Sequence, residues 1–230
     1  MAEKDDNIFS KLLFPIGVVL LMWFVKIIEV FQNEKYTNWG IKPREIDGLP
    51  GILTAPFLHS DWQHLMSNSV PMLALMSMVM VFYRRVAVSS IIIITIFTGF
   101  TVWLFARGGT SHVGASGVVY GLVAFLAWTG IFRRNLKSII LALIMLVAFG
   151  SYFHGIVPNK VGVSWESHLF GGLVGIFTAF LFKNVKEDDE ADKPNPWADE
   201  VGTEKFFLAR DTFEKTKQQR YLESLYSEEE

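Results

Sequence analysis

Apolar residues are concentrated in six long stretches that are separated by short polar or charged segments. Runs of this length and composition are typical of membrane spans, and in lipid such a span must be helical, because every backbone N–H and C=O group needs a partner. The pattern therefore predicts an all-α membrane protein, a bundle of six transmembrane helices. The six stretches cover residues 12–31, 64–83, 86–106, 116–132, 138–153 and 168–182.

The fourth and sixth stretches are short for a membrane span. At about 1.5 Å per residue, residues 116–132 cover roughly 25 Å, against a hydrocarbon core of about 30 Å. If the far end of each helix lies at one membrane surface, its first residue lies several Å below the other surface. We therefore expect Ser116 and His168, which begin these two stretches, at similar depths in the membrane.

The basic residues between the stretches predict the orientation of the bundle. Nine Lys or Arg residues lie before the first stretch, in the segments after the second and fourth, or within four residues of the end of the sixth, whereas the opposite segments carry five. Cytoplasmic loops carry the excess of positive charge, so both termini are expected in the cytoplasm. The fourth and sixth helices then begin on the outer side, and a site at their first residues would open to the outer face.

Composition divides the chain into a cytoplasmic N-terminus (residues 1–11), a membrane domain (residues 12–185) and an acidic cytoplasmic tail (residues 186–230). Overall, 51% of the residues are hydrophobic and the mean hydropathy is +0.32, which excludes an ordinary soluble domain. The tail holds 14 acidic and 7 basic residues. Within it, residues 201–226 are compatible with an interfacial helix or with a solvated, disordered segment. The chain has no cysteine, which excludes disulfides and thiolate catalysis.

The first outward segment, residues 32–63, is not a plain hydrophilic connection. Proline and glycine alternate in it with large apolar residues such as Trp39, Leu49 and Phe57. This mixture predicts a structured loop that rests partly in the membrane interface.

Two of the stretches begin with residue types that are costly in hydrocarbon. Ser116 opens the fourth stretch within Gly114-Ala115-Ser116-Gly117, and His168 opens the sixth, where glycines follow on the same helix face. Glycines let helices approach closely, so the serine hydroxyl could reach the imidazole, as a general base requires. Serine with histidine indicates nucleophilic catalysis, although helix packing alone would also explain the glycines.

A third polar pair lies in the second stretch. His64 and Asn68 are one helical turn apart and share a face. Attack of a serine on an amide carbonyl develops an oxyanion, which needs donors such as side-chain amides and the backbone N–H of a helix start. His64, Asn68 and the Ser116 amide supply these donor types, although the pair could instead hydrogen-bond the long loop.

Other histidines and acids do not complete a metal site or a catalytic triad. His59 lies five residues before His64, which is not the spacing of one helix face, and no HExxH motif occurs. We therefore expect no metal, and we assign His59 to loop structure. Glu166 is two residues from His168 and cannot share its helix face, which favours a Ser-His dyad.

These motifs resemble those of the rhomboid intramembrane serine proteases, in the compact six-helix form common in bacteria. The resemblance covers roughly residues 12–185 and rests on three ordered motifs. They are His64-x-x-x-Asn68, then Gly114-Ala115-Ser116-Gly117 with Tyr120, and finally His168-x-x-Gly171-x-x-x-Gly175. The resemblance implies that Ser116 is the nucleophile and His168 the general base. It also implies that His64, Asn68 and the Ser116 amide form the oxyanion hole, that Tyr120 supports the His168 ring and that Gly114 shapes the turn.

The reaction implied by the resemblance is hydrolysis of a peptide bond within or beside a transmembrane segment. The expected partners are transmembrane protein substrates and the lipid bilayer, with no nucleic acid and no cofactor. The expected location is the bacterial cytoplasmic membrane. A helical peptide bond is shielded, so substrates with helix-breaking or small residues near the cleaved bond are favoured.

Two departures from the family pattern and two alternatives remain. Family members often carry adjacent Trp and Arg residues in the first loop, where Trp39 and Arg44 stand apart, and Ser167 occupies a position where alanine is usual. One alternative is a catalytically inactive rhomboid relative that binds transmembrane segments. The other is a transporter with a polar midplane site, which the lack of internal repeats disfavours.

Overall fold

The computed structural model describes residues 8–157, 164–188 and 215–226. Within these ranges the fold is all-helical, as the sequence predicts, and an isolated antiparallel bridge joins Ile41 to His112. The α-helices are α1 (Ile8–Phe31), α2 (Gly51–Thr54), α3 (Trp62–Phe82), α4 (Ala87–Phe105), α5 (Ser116–Arg133), α6 (Leu136–Phe149), α7 (Trp165–Leu181) and α8 (Lys217–Tyr226). Short 3₁₀ segments cover Tyr36–Trp39, Ile46–Gly48, Ala55–Phe57 and Gly150–Ile156.

Four of these helices, α1, α3, α4 and α5, are long and apolar enough to cross a membrane. Helices α6 and α7 have 14 and 17 residues and are shorter than a typical span. Many large apolar side chains lie on the outside of the bundle, including Leu20, Phe24 and Val70, each more than half exposed. A soluble protein would not expose so much apolar surface, so lipid is its expected solvent.

Helix α5 lies at the centre of the bundle and packs against α3, α4, α6 and α7. Its closest neighbour is α7, because glycines on both helices bring the two backbones together. A β carbon on Gly171 would overlap the carbonyl oxygen of Gly117, and a β carbon on Gly175 would overlap that of Gly121. This spacing exists only with glycine at positions 171 and 175.

Helix α7 begins three residues earlier than the sequence pattern predicts. The prediction that His168 is the first helical residue is wrong, because Ser164 caps the helix and its side chain accepts the Ser167 N–H. His168 therefore lies in the first turn of α7. Asp61 caps α3 in the same way by accepting the His64 N–H at 2.8 Å, and this bond holds the pKa of Asp61 below its usual value.

Residues 32–63 contain α2 and three 3₁₀ segments, and they are bonded to the end of α4 and to the segment that leads into α5. Ile41 and His112 exchange two backbone hydrogen bonds of 2.9 Å. Arg44 donates its backbone N–H to Trp103 and its guanidinium to the carbonyl of Ala106 at 2.7 Å. Arg44 therefore anchors this loop without an adjacent tryptophan.

A buried ion pair lies at the end of the bundle opposite Ser116, where α5 ends. Arg133, at the end of α5, and Glu187, six residues beyond α7, are 3.7 Å apart, and both side chains are less than 5% exposed. The other Glu187 oxygen accepts the backbone N–H of Arg85 at 2.9 Å, and the Arg133 guanidinium lies over the ring of Tyr83. Glu187 thus fixes the chain beyond α7 to two interhelical connections.

Parts of the predicted termini lie outside the described residues, namely residues 1–7, most of the acidic tail at 189–214, and residues 227–230. In the tail, the described residues 215–226 contain α8, where Lys215 and Glu223 form an exposed ion pair.

Candidate active site

Ser116 and His168 lie within hydrogen-bonding distance of each other. Ser116 is the first residue of α5 and His168 lies in the first turn of α7, so the glycine contacts one turn deeper set the distance between them. The His168 Nε2 atom is 2.9 Å from the Ser116 Oγ atom. His168 is 8% exposed, whereas Ser116 is only partly buried.

The second ring nitrogen of His168 determines where the imidazole proton lies. Its Nδ1 atom is 2.8 Å from the carbonyl oxygen of Gly155, which can only accept a hydrogen bond. Nδ1 must therefore carry the proton, and Nε2 of the neutral ring is left as an acceptor for the Ser116 hydroxyl. This arrangement is the one that a general base requires.

Tyr120 holds the His168 ring in this orientation. The two rings are stacked, with centroids 4.1 Å apart and an interplanar angle of 7°. The Tyr120 hydroxyl donates to the carbonyl of Tyr152 at 2.8 Å. Tyr120, one turn beyond Ser116, thus links α5 to the His168 ring and to the segment Gly150–Ile156.

Gly114 brings the predicted oxyanion donors close to the start of α5. Its φ of +103° is a conformation that residues with a side chain rarely adopt, and a β carbon there would lie 2.6 Å from the His64 Nε2 atom. The same β carbon would lie 3.5 Å from the Asn68 Nδ2 atom. His64 and Asn68 on α3 therefore both face the turn that precedes Ser116.

A third donor at this turn is the backbone N–H of Ser116. As the first residue of α5, Ser116 has no acceptor within the helix for its N–H. Asn68 donates one N–H to the carbonyl of His64 at 3.1 Å, and its amide group has a second N–H. The structure thus brings together all the residues that the sequence singled out, namely His64, Asn68, Gly114, Ser116, Tyr120 and His168.

The acid nearest to His168 in sequence does not contact its ring. Glu166 is buried, and its Oε1 atom lies 3.2 Å from the Arg107 Nε atom. The His168 nitrogen that a triad acid would bind is occupied by the Gly155 carbonyl. This geometry is that of a dyad oriented by a backbone group.

His59 lies behind His64 rather than in the site. Its ring is 1% exposed and meets the His64 ring edge-on, with centroids 5.0 Å apart. Burial lowers the pKa of His59 to about 4, so this ring is neutral at pH 7. The His59 carbonyl accepts from Lys26, which is also paired with Glu29 at 3.0 Å, so these residues join α1 to the start of α3.

Sequence reasoning missed the contribution of Tyr152 and Gly155. Both accept hydrogen bonds through backbone carbonyls, which every residue carries. Position 155 also requires glycine, because a β carbon there would overlap the Tyr120 hydroxyl, but a lone glycine in a connecting segment does not show this role in the sequence. The turn at Gly114, by contrast, can be predicted from the sequence, because glycine is the residue that adopts a positive φ most readily.

Comparisons with known proteins identify the family of the chain. The sequence profile of the Rhomboid domain matches residues 48–185, more than half of the chain. "Uncharacterized protein Rv1337" of Mycobacterium tuberculosis (strain ATCC 25618 / H37Rv) is 35% identical over 171 residues, which cover 71% of this chain and 71% of that protein. "Uncharacterized protein ML1171" of Mycobacterium leprae (strain TN) is 34% identical over 169 residues, covering 70% of this chain and 67% of that protein. The profile match spans the whole site from His64 to His168, and the chain therefore belongs to the rhomboid family.

Proposed function

We propose that the protein is an intramembrane serine endopeptidase that cleaves transmembrane segments with a Ser116–His168 dyad. The observation that carries the proposal is the 2.9 Å contact between Ser116 Oγ and His168 Nε2, together with the Nδ1–H bond to Gly155. Family membership supports the reaction class, because rhomboids are generally intramembrane serine proteases.

In the first step, the Ser116 oxygen attacks the carbonyl carbon of the substrate peptide bond while the hydroxyl proton moves to His168 Nε2. The imidazolium ring that forms is held by its Nδ1–H bond to Gly155 and by its stacking on Tyr120. The negative charge develops on the former carbonyl oxygen. The Ser116 N–H, the Asn68 amide and the His64 ring face the turn at Gly114, where they could donate to this oxygen.

In the second step, the bond between carbon and nitrogen breaks, and His168 gives its proton to the departing amine. An acyl ester on Ser116 remains. A water molecule then attacks this ester, giving one proton to His168 Nε2, and the proton returns to Ser116 as the carboxylic acid leaves. The enzyme is restored with no net change in its own protons, and the reaction needs no cofactor.

The proposed substrates are transmembrane segments of other membrane proteins. An α-helix shields its peptide bonds and keeps each carbonyl hydrogen-bonded, so a substrate must unwind before Ser116 can attack. Glycine, proline or other small residues near the cleaved bond lower the cost of unwinding. We therefore expect cleavage in segments that contain such residues.

The six-span topology, with both termini in the cytoplasm, belongs to the same proposal. Helix α6 continues into the segment Gly150–Ile156, which lengthens it, and α7 covers about 25 Å, enough for most of the hydrocarbon core. The chain has no cysteine, so single cysteines can report topology directly. A membrane-impermeant maleimide should label the exposed variants Asn38→Cys and Val157→Cys from outside, and Asn184→Cys only after permeabilisation. Labelling of Val157→Cys together with Asn184→Cys from the same side would contradict a spanning α7.

The catalytic proposal is tested with the full chain in proteoliposomes, using a reporter transmembrane substrate and a fluorophosphonate probe. Ser116→Ala and His168→Ala should each lower kcat/KM by at least about 1,000-fold, and Ser116→Ala should abolish covalent labelling. Ser90→Ala is the control, because Ser90 is a buried serine on α4, another helix long enough to span a membrane, and lies outside the site. It should retain wild-type cleavage.

Two outcomes would overturn the proposal. Cleavage that persists in both Ser116→Ala and His168→Ala would exclude the dyad. A wild-type protein that binds the transmembrane reporter without cleaving it, and that the probe does not label, would instead support the inactive relative.

A further inference from the structure

The two segments that lead to the catalytic residues contact each other on the outer side of the bundle. One is residues 107–115, which connect α4 to Ser116, and the other is the start of α7, which leads to His168. Two side-chain contacts join them. The His112 Nδ1 atom lies 2.6 Å from Ser164 Oγ, and the Arg107 Nε atom lies 3.2 Å from Glu166 Oε1.

The first contact is part of a hydrogen-bond chain that reaches the residue next to His168. Ser164 Oγ lies 2.6 Å from Ser167 Oγ and 2.6 Å from His112 Nδ1, and His112 Nε2 lies 3.4 Å from the carbonyl of Arg107. When Nε2 carries the proton and donates to that carbonyl, Nδ1 accepts from Ser164 and Ser164 accepts from Ser167. The Thr110 Oγ1 atom, 3.3 Å from Nε2, is a second partner of this nitrogen. Burial lowers the pKa of His112 below its usual value, which is consistent with the neutral ring of this arrangement.

The second contact is the ion pair between Arg107 and Glu166. The Arg107 guanidinium binds Glu166, which lies between Ser164 and His168 in the first turn of α7. Glu166 is 4% exposed, although a glutamate placed there only to favour the helix dipole could remain in solvent. A buried carboxylate needs an opposite charge, and Arg107 supplies it here, so the ion pair with Arg107 holds Glu166 in its buried position.

His112 is itself fixed by a third element. Its backbone exchanges two hydrogen bonds with Ile41 in the loop of residues 32–63, and its side chain is 4% exposed. The contacts to Ser164 and Glu166 thus tie the start of α7 to a rigid part of the molecule.

These contacts are not what holds α5 and α7 together. The helices meet through the backbones of Gly117 and Gly171, and of Gly121 and Gly175, along their length. The side-chain contacts act only on the first turn of α7, where His168 lies. Loss of one of them should therefore shift the imidazole without separating the helices.

We propose that Arg107, His112, Ser164 and Glu166, here called the outer strap, are positioning residues that hold the His168 imidazole in line with the Ser116 hydroxyl. The inference rests on the proposed function and assigns these four residues a role in it. A displacement of about 1 Å at a reacting group can lower a rate about 100-fold, so the outer strap acts on kcat and on the reactivity of Ser116.

The test measures the rate of fluorophosphonate labelling of Ser116, and kcat and KM for the reporter substrate, in the full chain. Arg107→Glu and Glu166→Arg should each lower labelling and kcat by 10-fold to 100-fold, with KM changed less than threefold. The double exchange restores opposite charges and should recover labelling to within about threefold of wild type. A merely structural loss would not be rescued in this way.

A second pair of variants keeps the test decisive if a charge reversal prevents folding. Ser164→Thr retains the hydroxyl and should keep labelling near the wild-type rate, whereas Ser164→Ala should lower it about 10-fold. The matched control is the exposed pair of Lys42 and Asp47 on the neighbouring loop, 2.6 Å apart. Lys42→Glu and Asp47→Lys should leave labelling unchanged.

Failure of the outer strap differs from failure of the proposed function. If wild type is labelled at Ser116 and cleaves substrate, but the charge reversals and Ser164→Ala react at the wild-type rate, the inference is wrong and the dyad stands. A double exchange that stays as slow as the single reversals would also overturn it. If wild type is neither labelled nor active, the proposed function itself fails, and the role of the outer strap fails with it.

Discussion

The α carbon of Gly171 lies against the backbone carbonyl of Gly117, so closely that no β carbon fits between them. Each of these glycines is within one turn of a catalytic residue, Gly117 directly after Ser116 and Gly171 three residues after His168. The contact therefore sets the distance between hydroxyl and imidazole.

Gly171→Ala should lower kcat/KM by about 100-fold, because the added methyl group pushes α7 away from α5 and moves His168. Gly172→Ala is the control, since a β carbon at Gly172 meets nothing within 4 Å. Reporter cleavage and thermal unfolding of both variants in detergent check the prediction. Equal activity of the two variants would show that this spacing does not control the dyad.

Asn68→Ala should lower kcat about 100-fold with little change in KM, because an oxyanion donor acts mainly in the transition state. Ser67→Ala is a close control, since Ser67 and Asn68 both donate to the carbonyl of His64, at 2.9 Å and 3.1 Å. Only Asn68 also faces Gly114. Steady-state kinetics on the reporter substrate decide between them, and equal losses would mean that Asn68 acts only through the His64 carbonyl.

Glu187→Gln should lower the free energy of unfolding by about 3 kcal/mol, because it removes the negative charge that faces the buried Arg133 guanidinium. Asp188→Asn should cost less than about 1 kcal/mol, because its ion pair with Arg85 is exposed. Denaturant titration in mixed micelles measures both changes. If Asp188→Asn lowers the free energy of unfolding as much as Glu187→Gln does, burial does not make the Arg133–Glu187 pair more important for stability.

Stability should fall as the pH falls from 6.5 towards 4, in part because of His59. Its pKa is about 4 in the folded protein and 6.5 when exposed, so the unfolded chain binds the extra proton in this window. The pKa of His59 also responds to the nearby charges of Lys26, Asp61 and His64. His59→Phe should therefore show a shallower decline of melting temperature with acidification.

The control for this pH effect is His154→Asn, which removes an exposed histidine. It should keep the wild-type decline. If His59→Phe and wild type lose stability in parallel between pH 6.5 and 4, another group carries the acid sensitivity.

The sequence predicted the dyad partners because a histidine is costly in an apolar stretch, and because Ser116 and His168 each open a short stretch beside glycines. It also predicted the close approach of α5 and α7, since the glycines at i+3, i+4 and i+7 from His168 mark one helix face, of which Gly171 and Gly175 make the contact. It could not predict the start of α7, which depends on the cap provided by Ser164. The pairs Arg107–Glu166 and Arg133–Glu187 were also missed, because each joins residues more than 50 positions apart and exposed-looking charges have many possible partners.

The bond from His168 to Gly155 makes the segment Gly150–Ile156 a chemical component of the proposed dyad. In the described structure, the Gly155 carbonyl is the group that keeps the imidazole proton on Nδ1. A motion that withdraws this carbonyl frees the proton to move to Nε2, and the ring then loses the lone pair that accepts from Ser116. In the proposed mechanism, the position of the segment Gly150–Ile156 would therefore decide the tautomer of His168, and with it whether Ser116 has a base.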